Sequence, residues 1–138
     1  MTPALLDAGP LISLFDEGDQ FHRRYRALLG DPSRPLNLYT TWPCVVEASH
    51  MLGDLERLEM LRWVSLGGAQ VFPFDASALV DMVDWMLRYT ETPRTRMDFA
   101  DASLYWLARE SGVNAILTVD VRDFSRYRLP DGRAFEIL

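Results

Sequence analysis

Short apolar runs and helical stripes alternate along this chain, punctuated by glycine, proline and aspartate. Thr2 to Leu6 is an apolar run of strand length, and Gly9-Pro10 turns the chain into a short helix carrying Leu11, Ile12, Leu14 and Phe15. Asp19 is placed to cap a helix holding Phe21, Tyr25, Leu28 and Leu29, which stops at Gly30-Asp31-Pro32. Leu36 to Thr41 reads as a strand. Pro43 sits in the first turn of a helix that runs through Glu47 to about Leu52 and ends at Gly53. Asp54 then caps a helix whose buried side is expected to carry Leu55, Leu58, Leu61 and Trp63 or Val64. Gln70 to Phe74 has strand character, weakened by Pro73. Asp75 or Ser77 opens a helix with Leu79, Val80, Val83 and Leu87 on its buried stripe. A helix from about Asp98 to Ser111 ends at Gly112, Ala115 to Val119 follows as a strand, and Ala134 to Leu138 forms a last one.

Strands separated by helices predict an α/β fold with a central, mainly parallel sheet and helices on both faces. No repeat, low-complexity tract or linker interrupts the pattern, and 138 residues fit a single domain spanning 1–138. No stretch approaches the roughly eighteen uninterrupted apolar residues of a membrane span. Asp7 cuts the first apolar run too early for a signal peptide, so a cytoplasmic protein with no membrane attachment is expected.

Charge changes this picture in one respect. All fourteen basic residues are arginine, against twenty acids, and the net charge is −6. Broad, salt-sensitive binding to phosphate backbones is therefore disfavoured, unless bound cations reverse the local sign. Arg94 and Arg96, just before Asp98, are the pair placed for bidentate phosphate contacts, although a solvated loop explains either one alone. The single cysteine, Cys44, follows Trp42-Pro43 and reads as part of a buried helix start, not as a nucleophile. His22 and His50 share no spacing with another metal ligand. Met51, Met60, Met82 and Met86 read as packing, and Trp63, Trp85 and Trp106 as core or interface.

The candidate chemistry lies in four carboxylates embedded in apolar surroundings: Asp7 in Leu5-Leu6-Asp7-Ala8, Glu47 in Val45-Val46-Glu47-Ala48, Asp101 in Phe99-Ala100-Asp101-Ala102, and Asp120 after Leu117-Thr118-Val119. Ionised groups are rare in such settings without compensation. In a parallel sheet, ligands bind outside the carboxyl ends of the strands, which brings Asp7 and Asp120 to one edge. Asp101 shares a stripe with Leu104, Tyr105 and Ala108, so it points inward from a first helical turn, where the helix dipole favours an anion. Glu47 lies on a helix whose other inward candidates are Cys44, Ala48 and Met51. Two carboxylates about 4 Å apart repel by roughly 4 kcal/mol at an effective dielectric near 20. Hard divalent cations would remove that conflict. Plainer roles exist for each acid taken singly: Asp7 and Asp98 as helix N-caps, Asp123 as a turn residue, Glu47 on an exposed helix face.

Taken in order, Leu5-Leu6-Asp7-Ala8-Gly9-Pro10-Leu11, Val46-Glu47-Ala48, Asp98-Phe99-Ala100-Asp101-Ala102 and Leu117-Thr118-Val119-Asp120-Val121-Arg122-Asp123-Phe124 resemble the PIN-domain ribonucleases, and most of all the toxin halves of VapBC-type toxin-antitoxin pairs. The resemblance spans nearly the whole chain. It implies a three-layer PIN-like fold and a metal-dependent endoribonuclease that leaves 5'-phosphate and 3'-hydroxyl ends. It also implies that Asp7, Glu47, Asp101 and Asp120 form the acidic quartet for magnesium or manganese, with Asp7 and Asp101 the direct ligands. Glu47 or Asp120 then holds a second ion or orients the water, and Thr118, Asp98 and Asp123 stand behind them. The bulk of Ser103-Leu104-Tyr105-Trp106 departs from the small and aliphatic residues common at that point. A cognate antitoxin, an RNA substrate and a homodimer are the implied partners, and a second copy, an antitoxin helix or both are expected to cover apolar faces around Leu11 to Phe15 and Trp85 to Tyr89. Two alternatives remain: a catalytically silent PIN-fold module that binds protein or RNA, and a haloacid-dehalogenase-like phosphohydrolase using Asp7 as nucleophile. Gly9 opposes the latter, because that family carries a second aspartate two residues after the first.

Overall fold

Five strands form the centre of the computed structural model, which describes residues 1–138. They are β1 (Thr2–Leu6), β2 (Leu36–Thr40), β3 (Gln70–Val71), β4 (Ala115–Leu117) and β5 (Glu136–Ile137), in the order β3-β2-β1-β4-β5. Every neighbouring pair is parallel. Ala4, Leu5 and Leu6 of β1 are fully buried, as a central parallel strand covered on both faces requires.

Seven helices connect the strands: α1 (Ala8–Phe15), α2 (His22–Gly30), α3 (Trp42–Met51), α4 (Asp54–Ser65), α5 (Leu79–Arg88), α6 (Phe99–Ser111) and α7 (Val121–Arg126). α1 packs against α2, α3 and α4, while α6 packs against α3 and α5. The chain moves outward from β1 through β2 to β3, then returns past β1 to β4 and β5. The direction of travel thus reverses between β1 and β4, the switch point where crevices open in such sheets. No helix is long and apolar enough to cross a membrane.

The α/β architecture matches the expectation, and several local readings need correction. The strands are shorter than read: β2 stops at Thr40, β4 at Leu117, and β3 at Val71, because Pro73 cannot extend the ladder. Gly53 and not Asp54 caps α4, and α2 begins at His22, with Asp19 accepting from the Phe21 amide at 2.8 Å. α7 was not anticipated. Met51 points outward and is 69% exposed.

The larger corrections concern helix faces. Leu55 and Leu58 of α4, and Val80, Val83 and Leu87 of α5, are exposed. α4 instead buries Met60 and rests Trp63 edge-on against Phe15, with ring centroids 5.6 Å apart. α5 buries Met82 and Trp85, the latter packed at a tilt against Tyr105 of α6, ring centroids 4.4 Å apart. Each helix carries two apolar stripes, and the stripe with larger aromatic contacts faces inward. Of the faces expected to be free, Leu11, Leu14 and Trp85 are buried within the chain, while Leu87 is exposed. The bulk at Tyr105 and Trp106 serves this packing, Trp106 lying 5.4 Å from Phe74.

Candidate metal centre

Backbone connections at the switch point place the acids. Asp7 ends β1 and caps α1: its Oδ1 accepts from the Ala8 amide and its Oδ2 from the Thr118 hydroxyl, both at 2.8 Å. The Asp7 amide donates to the Leu117 carbonyl at 3.0 Å, tying the ends of β1 and β4 together. The Thr118 oxygen that donates to Asp7 also accepts from the Asp120 amide at 3.0 Å. Its carbonyl accepts from the buried Tyr25 hydroxyl at 3.1 Å. One residue therefore sets two acids in register. Gly9 is needed here, since a Cβ at that position would run into the Val119 side chain as α1 passes the β4–α7 connection.

α6 brings the third acid. Asp98 caps it, accepting from the Asp101 amide at 2.8 Å, so Asp101 lies in the first turn, 6% exposed. Its Oδ2 accepts from the buried Tyr127 hydroxyl at 2.7 Å. The start of α6 is fixed to the start of α3 by the Thr41 and Ser103 hydroxyls, 2.6 Å apart, with Ser103 also bonded to the Ala100 carbonyl. Glu47, one turn into α3, is thereby held opposite Asp98 and Asp101.

These five acids, Asp7, Glu47, Asp98, Asp101 and Asp120, line a single cleft of about 240 Å³. Asp101, Asp120 and Asp123 each offer an oxygen within 4.8 Å of the others. Asp123 also accepts from the Arg126 guanidinium at 3.1 Å, and this is the only ion pair to any acid of the group. No arginine pairs with Asp7, Glu47, Asp101 or Asp120. Arg94 and Arg96 are exposed in the loop leading to Asp98 and make no ion pair.

The missing counter-charge shows in the proton affinities. Burial pushes Asp101 up to about 9, with the charges of Asp98 and Asp7 adding to it against the Tyr127 hydrogen bond. Burial raises Asp7 to about 6, although the Thr118 and Ala8 donors hold it down. Asp120 is also raised to about 6, by burial and then by hydrogen bonding and repulsion from Asp123. Glu47 is raised by partial burial and by Asp98. Cys44 is buried and its thiol is pushed well up, chiefly by burial and then by Asp7, which removes it as a nucleophile. The donor set is all oxygen, mutually repelling and short of positive charge, which fits a hard divalent cation.

The four acids singled out in the sequence thus meet in one cleft, with Thr118 braced between two of them and Asp98 in its capping role. Asp123 is closer to the cluster than a turn residue need be. Sequence reasoning missed Tyr127, the buried donor to Asp101. The signal was its spacing of three from Phe124, which only makes sense once α7 is recognised as a helix whose cap is Asp120. The Thr41 and Ser103 contact had no local signal, because its partners are 62 residues apart.

A family model for the PIN domain matches residues 4–129. No curated protein matches the sequence. Among solved structures the chain is similar to VapC20 of Mycobacterium tuberculosis, described as a sarcin-ricin loop cleaving toxin, with a TM-score of 0.66 and 17% identity. The match covers 82% of this chain and 86% of that one, and at this identity it shows the fold.

Proposed function

The chain belongs to the PIN domain family, and from that premise we propose that it is a magnesium-dependent endoribonuclease of the VapC type, a single-domain cytoplasmic toxin silenced by a cognate antitoxin, with manganese able to replace magnesium. The observation that carries this reading is the convergence of Asp7, Glu47, Asp101 and Asp120, from four distant parts of the chain, on one cleft without a basic partner. A purely structural role would leave the fold with two buried carboxylates, Asp7 and Asp101, that only protonation can relieve.

In this reading Asp7 and Asp101 are the direct ligands, each with one oxygen held by a hydroxyl and the cleft open beside it. A bound cation supplies Lewis acidity toward the phosphodiester and a lowered pKa for the attacking water. Thr118 and Tyr127 hold the two ligands in orientation, as outer groups around metal sites do. Asp120 and Glu47 line the same cleft and take the remaining work, a second ion or the alignment of water. Hydrolysis of the RNA strand then leaves 5'-phosphate and 3'-hydroxyl ends. VapC20 is described as a sarcin-ricin loop cleaving toxin, which makes a sarcin-ricin loop RNA the first substrate to try. The outward apolar stripes of α4 and α5 support partners, an antitoxin segment and a second copy, at Leu55 and Leu58 and at Val80, Val83 and Leu87.

The test is cleavage of a labelled RNA panel that includes a sarcin-ricin loop RNA, by wild type and Asp7→Asn, in magnesium, manganese or chelator. The expected result is cleavage by wild type that falls about a hundredfold or more in the variant and disappears in chelator. Cleavage that survives chelation, or that Asp7→Asn leaves unchanged, contradicts the proposal.

A further inference from the structure

A second and larger hollow adjoins the acidic cleft. It has a volume of about 660 Å³, within the range of small-molecule pockets, and its walls are Trp42, Pro43, Val46, Phe74 and Phe99. Glu47 and Asp98 line both spaces, so the groove opens into the cleft where the acids meet. Trp42 is 52% and Phe99 44% exposed, unusual for such rings. Both are helix-start residues, Trp42 opening α3 and Phe99 opening α6, and the Thr41 and Ser103 hydroxyl contact pins those two starts together. Phe74 lies edge-on to Phe99 at 6.0 Å and steadies it from behind.

We infer that this groove is the subsite for an unstacked base of an RNA strand, seated against Trp42 and Phe99 beside the phosphodiester held over the acids. The inference rests on the ribonuclease reading and adds what recognises the substrate. A phosphate held in the cleft carries its base to one side, and the groove is the apolar space that begins there. Single-stranded RNA binds by stacking bases on aromatic side chains while their edges find polar partners. The groove offers both, since His50 and the Asp98 carboxylate lie in the same wall as the rings. An apolar protein segment would bury those polar groups without compensation. The outer stripe of α5 is set apart: Val83 and Leu87 line a different hollow with Met86, Thr90, Arg96 and Asp98, which lacks Glu47 and His50.

The test measures binding apart from cleavage. Fluorescent single-stranded RNA decamers of A, C, G or U are titrated in magnesium against Asp7→Asn protein, and against the same protein carrying Trp42→Ala, Phe99→Ala or Trp42→Phe. Sedimentation and melting are recorded for each, and cleavage is recorded with the groove substitutions in the wild-type background. Both alanine variants are expected to bind about tenfold more weakly, with an altered base preference, while Trp42→Phe stays close to the parent. Undiminished binding by the alanine variants overturns the subsite, and continued cleavage in that case leaves the nuclease reading standing. Alanine variants that lose self-association but keep RNA affinity also overturn it, assigning the groove to a second copy. No RNA binding by the parent overturns it as well, and absence of wild-type cleavage alongside would take the ribonuclease reading with it.

Discussion

The acidic cleft and the outer faces of α4 and α5 are both places where residue type and surroundings conflict, in opposite senses. In the cleft, Asp7 and Asp101 are charged groups 7% and 6% exposed; on the helices, Leu55 and Leu87 are apolar groups 73% and 71% exposed. The cleft is rigidly determined. Each of its two deepest acids has a hydroxyl donor, a capping role or neighbour, and a strand end or first helical turn behind it. The outer faces are left mostly to solvent. A group buried against its chemistry at such cost points to a ligand, and one exposed against its chemistry points to a partner.

The contrast is sharpest in α5, where two stripes on one helix should behave oppositely. Trp85→Ala removes a buried ring packed against Tyr105 and is expected to cost about 3–5 kcal/mol of stability in denaturant unfolding. Leu87→Ala, two residues away and exposed, should stay within about 0.5 kcal/mol. A large loss at Leu87 would mean the outer stripe is already used to hold the fold. Within the cleft, Asp101→Asn should lower cleavage about a hundredfold while keeping the protein folded, because the amide replaces a carboxyl that burial already prefers neutral. Equal damage to folding and activity would make the acid structural.

The strand ends and helix caps of the cleft could be read from the chain because local rules govern them. β1 was read at its observed bounds, Gly112 ends α6 with φ 75°, and Asp98 caps that helix, all from residue type and spacing. Those same rules place Asp7 and Asp120 beside each other. The helix faces could not be read that way. On α5 the stripe Leu79, Val80, Val83 and Leu87 is as periodic as Met82, Trp85 and Tyr89, and only Tyr105, a partner elsewhere in the chain, decides between them. Tyr127 was hidden for the same reason: its partner Asp101 is 26 residues away.

Two smaller effects sharpen the account. Thr118→Val removes the donor to Asp7 and the acceptor for Asp120 together, and should weaken magnesium binding about tenfold by calorimetry. The metal-free protein should also lose stability as pH rises. Asp101 keeps its proton in the folded chain up to about 9, whereas the unfolded chain releases it near the ordinary value of 3.8. Its contribution is thus present in full below about 4 and is lost progressively as pH rises to about 9, and Asp7 adds a loss that is complete near 6. Melting in chelator at pH 5 and pH 8 checks this: a lower melting temperature at pH 8 is expected, and Asp101→Asn should flatten the difference.

The most direct measurement is manganese binding, by electron paramagnetic resonance or calorimetry, to wild type and Asp101→Asn at pH 6 and pH 8. The account predicts binding to wild type that tightens at pH 8, as the cation displaces protons from Asp101 and Asp7, and loss of most of that affinity in the variant. Binding that Asp101→Asn leaves intact, or no binding at either pH, would contradict the claim that these acids are gathered to hold a metal.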